Sequence, residues 1–184
     1  MKQYSKYLSF VISLIIAKII FDLINRLLIS INILNLKYYN IGLNIILPET
    51  TSITTFRILS LITALPLIYV VFQLIAFRKI SKKLEKNIIF TNESGTNLNL
   101  VANGFLFFTL LVGVTKVFIE AYLNYINNHT TGRITRLIGT AIGESIIDTI
   151  FYILPILVAT IFIKIIAKLL IDGSLIKQEN DLTI

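Results

Sequence analysis

Apolar residues fall in four long blocks, each longer and more uniform than the buried stripe of a soluble helix. The clearest runs from Ile58 to Phe77, 20 positions without one charged side chain, and Arg78, Lys79, Lys82, Lys83 and Lys86 follow at once. Twenty residues at 1.5 Å each make about 30 Å of helix, the thickness of a bilayer's hydrocarbon core. A second block, from about 8 to 31, is interrupted by Lys18, Asp22 and Arg26. A third, from about 98 to 123, is interrupted only by Lys116 and Glu120. The last, from about 145 to 171, holds Asp148 near its start and Lys164 and Lys168 near its end. Lipid offers no partner to a backbone N–H or C=O, so each block is predicted to be a helix. Pro66 and Pro155 fall inside two of them and are expected to kink rather than end them. The pattern therefore predicts an all-α integral membrane four-helix bundle in a single domain, 1–184. Its helices lie at about 8–31, 57–86, 98–123 and 145–171, with a short tail at 173–184.

Composition agrees with lipid as the solvent. The 184-residue chain is 55% hydrophobic with a mean hydropathy of +0.82, more apolar surface than a soluble domain of this size needs. Lys2 and Lys6 precede an apolar run from Leu8 to Ala17, as in a signal peptide. No small-residue cleavage site follows, so a retained first helix is expected. The net charge of +7 could point to nucleic acid, but loop asymmetry explains it better. With the N-terminus inside, ten basic residues fall on the inner side: Lys2, Lys6, Arg78, Lys79, Lys82, Lys83, Lys86, Lys164, Lys168 and Lys177. Lys37, Arg57, Arg133 and Arg136 are the four on the outer side, and Lys18, Arg26 and Lys116 lie within spans. Basic residues gather on the cytoplasmic side, so both termini are expected there, with no direct nucleic-acid contact.

The outer loops are modest. Asn32 to Thr55 carries Tyr38 and Tyr39 among Asn, Ile and Leu, which suits the membrane interface better than a separate domain. The other outer loop holds His129, read as a solvated loop histidine. With one histidine and no cysteine, neither a metal site nor a cofactor is expected.

The charges within the spans are the strongest chemical lead. Lys18, Asp22 and Arg26 are spaced i, i+4, i+8 and form one stripe. Lys116 and Glu120 repeat the i, i+4 pairing. The helix directions put these residues and Asp148 at similar depth, so Lys18, Asp22, Arg26, Lys116, Glu120 and Asp148 are expected to meet as one neutral cluster. An isolated charge there costs about 2.5–3.5 kcal/mol on insertion scales, so pairing is expected. Two readings stay open: a network that fixes helix order and register, or a polar ligand site or ion path. Enzymatic activity is not expected. The carboxylates pair with lysines rather than with each other, and there is neither a His/Cys constellation nor a Gly-rich phosphate loop.

Two further segments carry a resemblance. In the inner loop, Phe90, Thr91 and Glu93 open the third helix, with Thr91 as N-cap and Glu93 at the positive end of the dipole. At the other end Gly173 is expected to close the fourth helix as its C′ residue. Leu175, Glu179, Asp181, Leu182, Thr183 and Ile184 follow. These segments resemble a family of small four-span bacterial membrane proteins called domain of unknown function 2975. The resemblance implies a bacterial inner-membrane protein of unestablished activity, and relatives encoded beside a small helix-turn-helix regulator imply a regulatory partnership with such a protein. One function class is a non-enzymatic regulatory or interaction protein whose inner loop and tail contact that partner. A small transporter or ligand-binding protein using the outer charge cluster is the alternative, and a homo-oligomer fits either. Glu179 and Asp181 oppose Lys79, Lys82, Lys83 and Lys86, so the tail is also expected to fold back onto the inner loop.

Overall fold

The computed structural model describes residues 2–31, 40–47, 51–85, 91–128 and 134–182. Four helices dominate: α1 (Lys2–Ser30), α2 (Ile53–Glu85), α3 (Asn92–Asn128) and α4 (Ile134–Leu182). All four are long and apolar enough to cross a membrane. Between α1 and α2 lies a small antiparallel hairpin, β1 (Asn40–Gly42) and β2 (Ile45–Ile46).

Each helix outruns its apolar block, because caps and packing set the ends. Ser52 caps α2: its Oγ accepts from the Thr55 N–H at 3.2 Å and its carbonyl accepts from the Phe56 N–H at 3.0 Å. Thr91 caps α3 in the same way, its Oγ1 accepting from the Ser94 N–H at 3.2 Å and its carbonyl from the Gly95 N–H at 3.2 Å. Pro66 and Pro155 sit inside unbroken α2 and α4.

Gly173 does not close α4, which corrects the expected tail. The helix runs through it to Leu182, 49 residues in all, so residues 174–182 continue α4 rather than form a separate tail. Gly173 is a weak helix former, costing about 1 kcal/mol against Ala, and its neighbours outweigh it. Buried Ser174 donates its hydroxyl to the Ile171 carbonyl at 2.7 Å. Ile171, two residues before the glycine, packs on α3 at Gly95, where an added Cβ would meet the Ile171 side chain.

The chain divides into two compact units. The first comprises Met1–Ile20, Tyr69–Phe107 and Ile156–Ile184. Its helices meet through small residues and aromatic edges. Phe77 and Phe105 stack edge to face at 6.2 Å, and Tyr69 and Phe107 at 5.3 Å. The Gln73 side chain lies against Gly104, where a Cβ would displace it. Ser5 donates its hydroxyl to the Ser81 carbonyl at 2.7 Å, tying α1 to α2.

The second unit comprises Phe21–Ile68 and Phe108–Pro155 and contains the hairpin. Leu43 and Asn44 form the turn with φ of 53° and 61°, following Gly42 at 90°. Two successive left-handed residues give the twist that a two-residue hairpin loop needs. Of the expected interfacial loop, Tyr38 and Tyr39 lie outside the described residues, and residues 40–47 pack inward. Ile41, Leu43, Ile45 and Leu47 are all buried, while Ile46 is exposed. Thr63 of α2 donates to the Ile41 carbonyl at 2.6 Å and pins β1 in place.

Candidate functional site

The buried ammonium of Lys116 organises the second unit. Lys116 is only 4% exposed, a position that a lysine occupies only when its charge is answered. Glu120, one helical turn on, accepts from its Nζ at 2.5 Å. The ring of Tyr152 on α4 lies 5.5 Å from the same nitrogen, a cation–π contact. Gly113, one turn before Lys116, leaves room for Ile153 and Thr149 of α4. Arg26 is half-buried on α1 and lies against Gly42 of the hairpin, where a Cβ would overlap its guanidinium. Asp22 and Tyr152 stand close enough to act on the Arg26 charge. Its Nη1 is buried with no hydrogen-bond partner among the described residues.

Beside this group opens a cavity of about 280 Å³, lined by Asn44, Ile45 and Ile46 of the hairpin, by Glu120, Leu123 and Asn124 of α3, and by Glu144, Ser145 and Asp148 of α4. Three carboxylates face it. Glu120 is balanced by Lys116, while Glu144 and Asp148 are exposed. A mouth lined in this way attracts cations and repels anions. Among the described residues no three of His, Cys, Asp and Glu group closely enough to hold a metal.

Five of the six charged residues expected to cluster lie in this unit, with Asp22 near Arg26, Lys116 on Glu120, and Glu120 and Asp148 on one cavity. Lys18 belongs to the first unit and is exposed, with no hydrogen bond or ion pair to another described residue. Sequence reasoning missed Tyr152, Glu144 and the hairpin. Glu144, Asp148 and Tyr152 do repeat at i, i+4, i+8, a spacing that places them on one face of α4.

The remaining candidates lie in the first unit. Arg78, Lys79, Lys82 and Lys83 occupy the last turns of α2, and Lys83 pairs with Glu93 of α3 at 3.0 Å. Both partners are exposed, so solvent and salt screen the pair and it adds little to stability. Gly173, Leu175 and Glu179 lie in α4, and Asp181 and Leu182 end it. Lys86, Phe90, His129, Thr183 and Ile184 lie outside the described residues.

A family model described as Protein of unknown function (DUF2975) matches residues 4–184, nearly the whole chain. No curated protein and no solved structure matches it.

Proposed function

We propose that this chain, which belongs to that family, is a multi-pass protein of a bacterial inner membrane, with both termini cytoplasmic, and that it acts by binding a cytoplasmic partner rather than by catalysis. The observation that carries this reading is the far end of α4. At 1.5 Å per residue its 49 residues make about 73 Å of helix, against about 30 Å of hydrocarbon. The helix therefore outlasts its membrane span. Its final turns show Leu175 and Ile176, 49% and 60% exposed, beside exposed Lys177, Gln178, Glu179 and Asn180. Apolar residues displayed on a charged helix are the anchors that helix-in-groove recognition uses. Lys79 and Lys82 at the end of α2, also exposed, lie in the same unit. A small helix-turn-helix regulator, the partner the family resemblance implies, is the first to test. The decisive comparison is recovery of such a regulator, encoded beside this protein, on full-length chain and on Leu175→Glu with Ile176→Glu. Loss of recovery at equal membrane abundance supports the reading, and equal recovery overturns it.

The cavity in the second unit supports a second reading, capture of a small cation outside the cell. Its lining carries two carboxylates beyond the one that Lys116 balances. Spermidine should then raise the melting temperature of the detergent-solubilised protein, and Glu144→Gln with Asp148→Asn should abolish the rise. No rise in the unaltered protein removes this reading.

A further inference from the structure

Lys18, of the expected cluster, has no hydrogen bond or ion pair to another described residue. It lies within the apolar stretch Tyr4–Leu28 of α1, ten residues and about 15 Å of helix from the nearer end, farther than a lysine stem reaches. It is also exposed on the helix surface. In the membrane orientation proposed above, on which this inference rests, an ammonium at that depth faces hydrocarbon unless another molecule answers it.

The face around it has a pattern. Tyr4, Tyr7, Val11, Leu14, Lys18 and Phe21 are all exposed, and they are spaced alternately by three and four residues. That is the seam along which two helices interlock with a slight left-handed supercoil. Asp22 flanks the seam one turn beyond Lys18 and is partly exposed. The seam thus carries a cation and an anion four residues apart. We infer that α1 is a self-association face, on which two parallel copies pair through this seam and Lys18 of each answers Asp22 of the other. Copies inserted with the same orientation meet as a parallel pair, and a two-fold axis matches the face to itself. Two lysines and two aspartates then sum to zero charge. A foreign acidic helix would answer Lys18 alone, whereas a second copy brings a lysine and an aspartate together and adds no net charge to the contact, which is why a second copy is the better occupant.

The chain contains no cysteine, so single cysteines can report the contact in native membranes. Leu14→Cys and Phe21→Cys are treated with copper phenanthroline beside a control, Phe118→Cys, whose parent side chain is exposed on α3. The seam positions should cross-link to twice the 20.8 kDa chain mass and the control should not. Within the Leu14→Cys chain, Lys18→Glu should lower the cross-linked fraction about tenfold, a loss of ~1.4 kcal/mol in pairing, and Lys18→Arg should preserve it. Three results would each overturn the inference: cross-linking at 14 and 21 no greater than at 118, an adduct of another mass, or indifference to Lys18→Glu. Alkaline carbonate separates this failure from that of the membrane reading. A chain it releases overturns both, and a chain retained without seam-specific cross-links overturns self-association alone.

Discussion

Removing Glu120 strands the Lys116 ammonium in a site where it is only 4% exposed, and stranding one partner of a buried pair is costlier than removing both. Glu120→Ala is expected to destabilise the protein by about 3–5 kcal/mol, and Lys116→Leu combined with Glu120→Leu to recover most of the loss. Thermal melting in detergent measures both, and a silent Glu120→Ala would mean that water already reaches the ammonium. Gly42 is a second sensitive position. Its φ of 90° disfavours any side chain, and the Arg26 guanidinium fills the space a Cβ would need. Gly42→Ala should therefore cost about 1–3 kcal/mol from the backbone alone. Shortening Arg26 as well would relieve the clash but not the φ, so partial rescue in the same melts would confirm that the two act together. Of these contacts, the Lys116–Glu120 pair was legible in the sequence, because i, i+4 spacing needs no tertiary knowledge. The Arg26–Gly42 contact was not, since it depends on where a hairpin returns.

At the scale of elements, apolar block length located all four helices but stopped short at six of their eight ends. Blocks report where lipid-compatible side chains begin, whereas caps report where the backbone can start to coil. Ser52 and Thr51 read as part of a polar loop, yet the Ser52 hydroxyl starts α2 before the first long apolar run. Thr91 was recognisable because it is itself a good cap residue and Glu93 follows it at the positive end of the helix dipole. Thr91→Ala should cost about 0.5–2 kcal/mol, and amide exchange of the first turn of α3 should quicken by the corresponding factor, whereas Lys83→Met should change it little. Gly173 illustrates the opposite error, a local stop signal overridden by packing at Gly95 and Ile171. The hairpin escaped notice because Leu43–Asn44 lacks the glycine that usually marks such a turn, and its alternation of buried and exposed residues spans only a few positions.

For the whole molecule, the basic asymmetry predicts which side each end faces, and the exposed residues supply probes. Cysteine at Lys79 or Gln178 should resist a membrane-impermeant thiol reagent in intact cells and react after permeabilisation. Cysteine at Ile46, on the hairpin and 72% exposed, should react in both. The reverse pattern would invert the topology. Ser81 is a poor probe despite its place among the lysines, because it is 1% exposed and would stay unlabelled on either side.

The interleaving of the two units bears on how the protein is made. The first unit draws on both ends of the chain, Met1–Ile20 and Ile156–Ile184, so its contacts close across most of the sequence. At synthesis rates of about 5–20 residues per second, roughly 7–30 s separate the emergence of these two segments. During that interval the first unit lacks its last segment, while Ser81 of α2 emerges early enough to accept from Ser5. A ribosome that stalls before Ile156 releases a chain whose first unit lacks its last segment, even when the second, which ends at Pro155, is fully made. Such a product invites membrane proteases, so abundance in the cell should depend on translation reaching the end of α4 as much as on the strength of any one contact.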